Sequence, residues 1–146
     1  MKSFPAAEAN VLLVDDNRDG LLVRRALLEE QGFQVELARN GEEGLKLFES
    51  FSFDVVVTDY RMPVMSGTEL IGHLRKRNPH VRVVLLSSLV EPLGLTEENT
   101  GADAVVAKNS SEPAHLLRSV RRLTAGPARK PPRSQMRTPA RRLARA

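Results

Sequence analysis

The chain has 146 residues, 41% of them hydrophobic, which is enough for one core of ordinary size, so one domain is expected. It has no cysteine, which excludes disulfides and thiolate metal sites. No apolar run is long enough to cross a bilayer and no apolar h-region follows Met1, so a soluble cytoplasmic protein without membrane insertion is expected.

The formal charge of +4 is unevenly spread. Of the 22 Lys and Arg, 7 lie in residues 125–146, where there is no acid; the other 15 share residues 1–124 with all 18 Asp and Glu. The basic balance thus belongs to a tail rather than to the domain. That tail has Pro127, Pro131, Pro132 and Pro139 and no aromatic residue. It cannot bury a core and reads as a disordered extension of a domain spanning 10–124.

In chain order, Val11-Leu12-Leu13-Val14 is a short apolar run of the kind used by strands buried on both faces, and it ends on Asp15-Asp16. Asn17 can cap a helix whose apolar stripe is Leu21, Leu22, Val23, Ala26, Leu27 and Leu28, with Arg24, Arg25, Glu29 and Glu30 outside it; Gly32 ends it. Phe33 to Leu37 alternates with period two, as a strand near the sheet edge does. After Asn40-Gly41, Glu42 and Glu43 open a second helix that buries Leu45 and Phe48.

Val55-Val56-Val57 is the next buried strand, and it delivers Asp59 to the mouth of the sheet. Met62-Pro63 and Gly67 then turn the chain away, since Pro fixes φ and Gly admits backbone angles that other residues resist. A third helix from about Thr68 to Arg77 buries Leu70, Ile71 and Leu74 and stops at Asn78-Pro79. Val81 to Leu86 is a fourth strand leading to Ser87. Leu89 to Thr100, broken by Pro92 and Gly94, supports only a short or irregular helix. Gly101 to Ala107 is a fifth strand leading to Lys108, and Ser110 or Ser111 opens a last helix with Leu116, Leu117, Val120 and Leu123 inward.

Five strands alternating with helices predict an α/β fold: a flavodoxin-like, doubly wound, five-stranded parallel sheet with five helices, the fourth short or irregular. In such a sheet ligands bind beyond the carboxyl ends of the strands, and strands one and three flank the switch point. Asp15, Asp16 and Asp59 would crowd together there, and like charges so close need a partner cation. Three hard oxygen ligands without His or Cys point to Mg²⁺. A metal beside Asp59 would stabilise charge on a transferring phosphoryl group, with Lys108 as a second cation and Ser87 as a hydroxyl donor. His73, His80 and His115 have no ligand spacing, no nucleotide-binding glycine motif occurs, and Arg61 stands where a phosphatase of the aspartyl-phosphate type wants a second Asp.

V-L-L-V-D-D (11–16), D-V-V-V-T-D-Y-R-M-P-V-M-S-G (54–67), V-V-L-L-S-S (83–88) and G-A-D-A-V-V-A-K (101–108), in that order, resemble the receiver domains of bacterial two-component response regulators, in particular the stand-alone regulators of chemotaxis. The resemblance covers about residues 10–124. It implies a phosphorelay protein, not a turnover enzyme. Asp59 would accept a phosphoryl group from a sensor histidine kinase or phosphotransfer protein. Mg²⁺ would be held by Asp16, Asp59 and the backbone carbonyl of Arg61, with Asp15 assisting through water. Ser87 and Lys108 would contact the phosphoryl group, and an unknown downstream protein would read the result.

Two positions depart from the family pattern. Val105 stands where an aromatic switch residue is usual, and Asn109 where a cis-proline usually follows the lysine, so a trans Lys108–Asn109 bond is expected. Rival readings are a receiver-fold docking protein that does not switch, favoured by Val105 and Asn109, and a nucleic-acid-associated regulator acting through the basic tail. Nucleic acid is the less favoured partner, because a solvated tail explains the same composition.

Overall fold

The computed structural model describes residues 9–125. The expected tail from 125 to 146 lies, but for Ala125, outside the described residues. Five strands, β1 (Asn10–Val14), β2 (Gln34–Ala38), β3 (Val55–Asp59), β4 (Arg82–Ser87) and β5 (Ala104–Ala107), form one sheet in the order β2-β1-β3-β4-β5. Every pairing is parallel. This is the flavodoxin-like order, with its switch point between β1 and β3.

The helices are α1 (Arg18–Glu30), α2 (Gly41–Ser50), α3 (Gly67–Arg77), α4 (Val90–Leu93), α5 (Glu97–Thr100) and α6 (Glu112–Thr124). The irregular helix expected between Leu89 and Thr100 is two helices of four residues each. Gly94, at φ 61°, ends α4, and Thr96 with Asn99 forms a capping box that starts α5. Asn17 accepts a hydrogen bond from the Gly20 N–H and Ser66 one from Glu69, which fixes where α1 and α3 begin.

Alternation along the strands sends side chains into two cores. Val11, Leu13, Val55, Val57, Val84, Leu86 and Val106 meet Leu21 and Leu28 of α1 and Leu116, Val120 and Leu123 of α6. Leu12, Val14, Val56, Val83 and Leu85 meet Phe48 of α2 and Leu70, Ile71 and Leu74 of α3 on the other face. Each such side chain, fully buried, contributes roughly 1.5–3 kcal/mol.

Helix α1 corrects the sequence reading. Val23 is 68% exposed and Leu22 and Ala26 are exposed too, while Arg24, expected outside the stripe, points inward with a side chain 11% exposed. The apolar face of α1 is Leu21 and Leu28 with Leu27 partly covered. The extra apolar positions widened the apparent stripe past the face that the sheet covers.

Candidate functional site

Ladder hydrogen bonds set the heights of the strand ends. The Asp15 N–H donates to Ala38 O at 3.1 Å, Tyr60 N–H to Leu86 O at 2.8 Å and Lys108 N–H to Ser87 O at 2.9 Å. Asp15, Asp59, Ser87 and Lys108 therefore reach one edge together, and Asp16 follows Asp15. Oxygens of Asp15, Asp16 and Asp59 lie within 4.8 Å of one another, with Asp15 and Asp59 buried and Asp16 exposed. Among the described residues this is the one cluster with metal-ligand spacing, and no histidine belongs to it.

The crowding is met by two cations. Lys108 Nζ donates to Asp59 Oδ1 at 2.6 Å and stands 3.8 Å from Asp15 Oδ2. Arg24, which sequence reasoning left on the surface, donates from Nη1 to Asp15 Oδ2 at 2.9 Å. Glu112 holds Arg24 in turn, at 2.8 Å and 3.2 Å. Those partners are 88 residues apart, so no local pattern announces them. Burial raises the pKa of Asp59; the Lys108 hydrogen bond opposes this, the Asp15 charge adds to it, and the net direction is upward.

Ser87 is buried, and its Oγ accepts from the Leu89 N–H at 2.8 Å. The site thereby touches the segment that leads into α4. Arg61 is exposed in the loop after β3. In that loop the structure corrects the reason for the glycine: Gly67 does not adopt positive φ, and the residue that does is Val64, at 71° and fully exposed. Gly67 is required by proximity instead. A Cβ there would lie 2.3 Å from the Asp59 carbonyl oxygen and 2.8 Å from Leu85 Cδ1, while its N–H donates to Tyr60 O at 2.8 Å.

Val105 is half-buried against the core face shared with α2 and α3, and its N–H donates to Glu97 Oε2 at 3.2 Å. No peptide bond among the described residues is cis, as expected for Lys108–Asn109. Asn109 Oδ1 accepts from the Ser111 N–H at 2.8 Å, a turn that leads into α6.

A doubly wound parallel sheet with three carboxylates and a lysine at its switch point defines a class, and the comparisons agree with it. Residues 11–121 match the response regulator receiver domain family, and the chain belongs to that family. It is 39% identical over 79 residues to a response regulator receiver protein of Anaeromyxobacter sp. (strain Fw109-5), covering 54% of this chain and 33% of that one. It is 33% identical over 114 residues to the aerobic respiration control sensor protein ArcB of Escherichia coli (strain K12), covering 76% of this chain and 15% of ArcB. The chain thus spans a third or less of the length of these curated relatives. Among solved structures, the response regulator TrrA of Thermotoga maritima in complex with Mg²⁺-BeF superposes with a TM-score of 0.71 at 31% identity, covering 80% of this chain and 99% of that one. The family places the chain in two-component signalling, as a signalling domain rather than an enzyme in the usual sense.

Proposed function

We propose that this chain is a response-regulator receiver that accepts a phosphoryl group on Asp59 and changes its affinity for a partner. The observation that carries the reading is Asp59 at the end of β3, sharing one edge with Asp15 and Asp16 and bonded by Lys108 at 2.6 Å. The donor would be a sensor histidine kinase or phosphotransfer protein. An Asp59 carboxylate oxygen attacks phosphorus, the phosphorus–nitrogen bond of phosphohistidine breaks, and its electrons return to the imidazole. The product is an acyl phosphate that water later cleaves.

The donor set fits Mg²⁺: hard oxygens, two buried and one exposed, in a cluster already drawing in cationic side chains. Asp16, Asp59 and the Arg61 carbonyl would hold the ion, with Asp15 behind them. When bound it supplies positive charge where the phosphoryl oxygens gain negative charge. Lys108 does the same from the other side, and Ser87 offers its hydroxyl to a phosphoryl oxygen. No helix among the described residues is long and apolar enough to cross a membrane. A cytoplasmic setting, where such kinases present phosphohistidine, suits this role.

Beryllofluoride, a phosphoryl mimic, tests the reading without covalent chemistry. With Mg²⁺ present, the amide resonances of Asp59, Ser87 and Lys108 are expected to shift in the wild type and to stay in place in Asp59→Asn. An equal response in both proteins, or none in the wild type, would refute the site. Val105, with no ring to rotate, favours the rival reading of docking without switching. Shifts confined to the site, with residues 89–107 unmoved, would support that rival.

A further inference from the structure

Arg24 lies inside the acidic site and has no part in the chemistry above. Its guanidinium is used as a fork, with Nη1 on Asp15 Oδ2 at 2.9 Å and Nε and Nη2 on the two oxygens of Glu112 at 2.8 Å and 3.2 Å. The side chains are 11%, 4% and 14% exposed for Arg24, Asp15 and Glu112, so water screens them weakly. Gly20, one turn earlier on α1, leaves the corridor open. A Cβ there would stand 2.7 Å from Arg24 Nη1 and 3.4 Å from Asp15 Oδ2. Glu112 is the first residue of α6, so one guanidinium joins α1, the end of β1 and α6.

We propose that Arg24 is a built-in counter-cation and positioning residue that, held by Glu112, shares Asp15 with the metal site and sets its Mg²⁺ affinity. This rests on the Mg²⁺ reading of the preceding section. A fixed positive charge on Asp15 repels an arriving divalent ion, and the negative charge on Glu112 partly offsets that repulsion. The two partners in one bridge therefore act on the metal with opposite signs. A bridge that served only to hold α1 against α6 would give both deletions the same sign.

The test is Mg²⁺ binding to the full chain, followed by the amide shifts of Asp16 and Tyr60. Arg24→Gln is expected to tighten binding roughly fivefold, and Glu112→Gln to weaken it roughly two- to threefold, from Coulomb interaction at these separations. Gly20→Ala, which pushes the guanidinium aside without deleting a charge, should tighten binding by a smaller factor. It also carries the test if Arg24→Gln fails to fold. Unchanged or weaker binding in Arg24→Gln or Gly20→Ala, or Arg24→Gln and Glu112→Gln shifting the affinity in the same direction, would overturn the proposal. Absence of Mg²⁺ binding in the wild type would overturn the underlying metal reading as well; wild-type binding without tightening in the variants overturns this inference alone.

Discussion

Asp59 carries its carboxylate where charge is disfavoured. Burial pushes its pKa up, the Lys108 hydrogen bond pulls it down, and the Asp15 charge pushes it up again, with a net rise. A carboxyl group whose folded pKa is raised adds stability below its unfolded value, and that contribution is lost as pH rises through the folded value. In metal-free buffer near neutral pH, Asp59→Asn should therefore be more stable than wild type, on the order of 1 kcal/mol, the scale of one poorly compensated buried group. The gap should close as pH falls through the raised folded value toward the ordinary carboxylate range, where the wild-type carboxyl is also neutral. Thermal melts of both proteins across that range check it; if Asp59→Asn were clearly less stable than wild type at neutral pH, the Lys108 pair would outweigh burial. The acids, Ser87 and Lys108 were legible because each follows an apolar run, and a run marks a strand end. Arg24 was not, since an arginine next to an exposed valine on a helix gives no sign of a partner at the far end of the chain.

At the scale of elements, two glycines separate packing from propensity. Gly67 starts α3 against the Asp59 carbonyl, a backbone atom that cannot step aside, so Gly67→Ala should cost roughly 1–3 kcal/mol. Gly72 sits exposed within the same helix with nothing within 4 Å of a built Cβ, so Gly72→Ala should add roughly 0.5–1 kcal/mol. Urea unfolding of both variants measures the pair, and similar effects in both would contradict the close approach at Gly67. The sequence signalled that Gly67 mattered and suggested the wrong reason, because a backbone contact across a loop leaves no local trace. Pro92 and Gly94 did announce the broken helix before β5. How the break divides into α4 and α5 depended on the capping box of Thr96 and Asn99, which lies within an otherwise weak pattern.

At the scale of the whole molecule, the alternation of strands and helices announced the doubly wound parallel sheet, and its strand order is the flavodoxin-like one expected for it. The inward faces were less legible where a helix carries more apolar residues than the sheet can cover, as α1 does with Val23. Val23 and Leu22 leave apolar surface on the helix that carries Arg24, and Ser87 ties the acidic edge to the start of α4 through Leu89. A phosphoryl group on Asp59 would thus act on a site joined to α1 and α6 through Arg24 and to α4 through Ser87. The claim on which this depends is that Asp59 is the acceptor. Its most direct test is the intact mass of the full chain after incubation with a small phosphodonor, with Mg²⁺ and with chelator. One added phosphoryl group in the wild type, dependent on Mg²⁺ and absent from Asp59→Asn, is the expected result. The same gain in Asp59→Asn, or no gain in folded wild type with Mg²⁺ present, would contradict it.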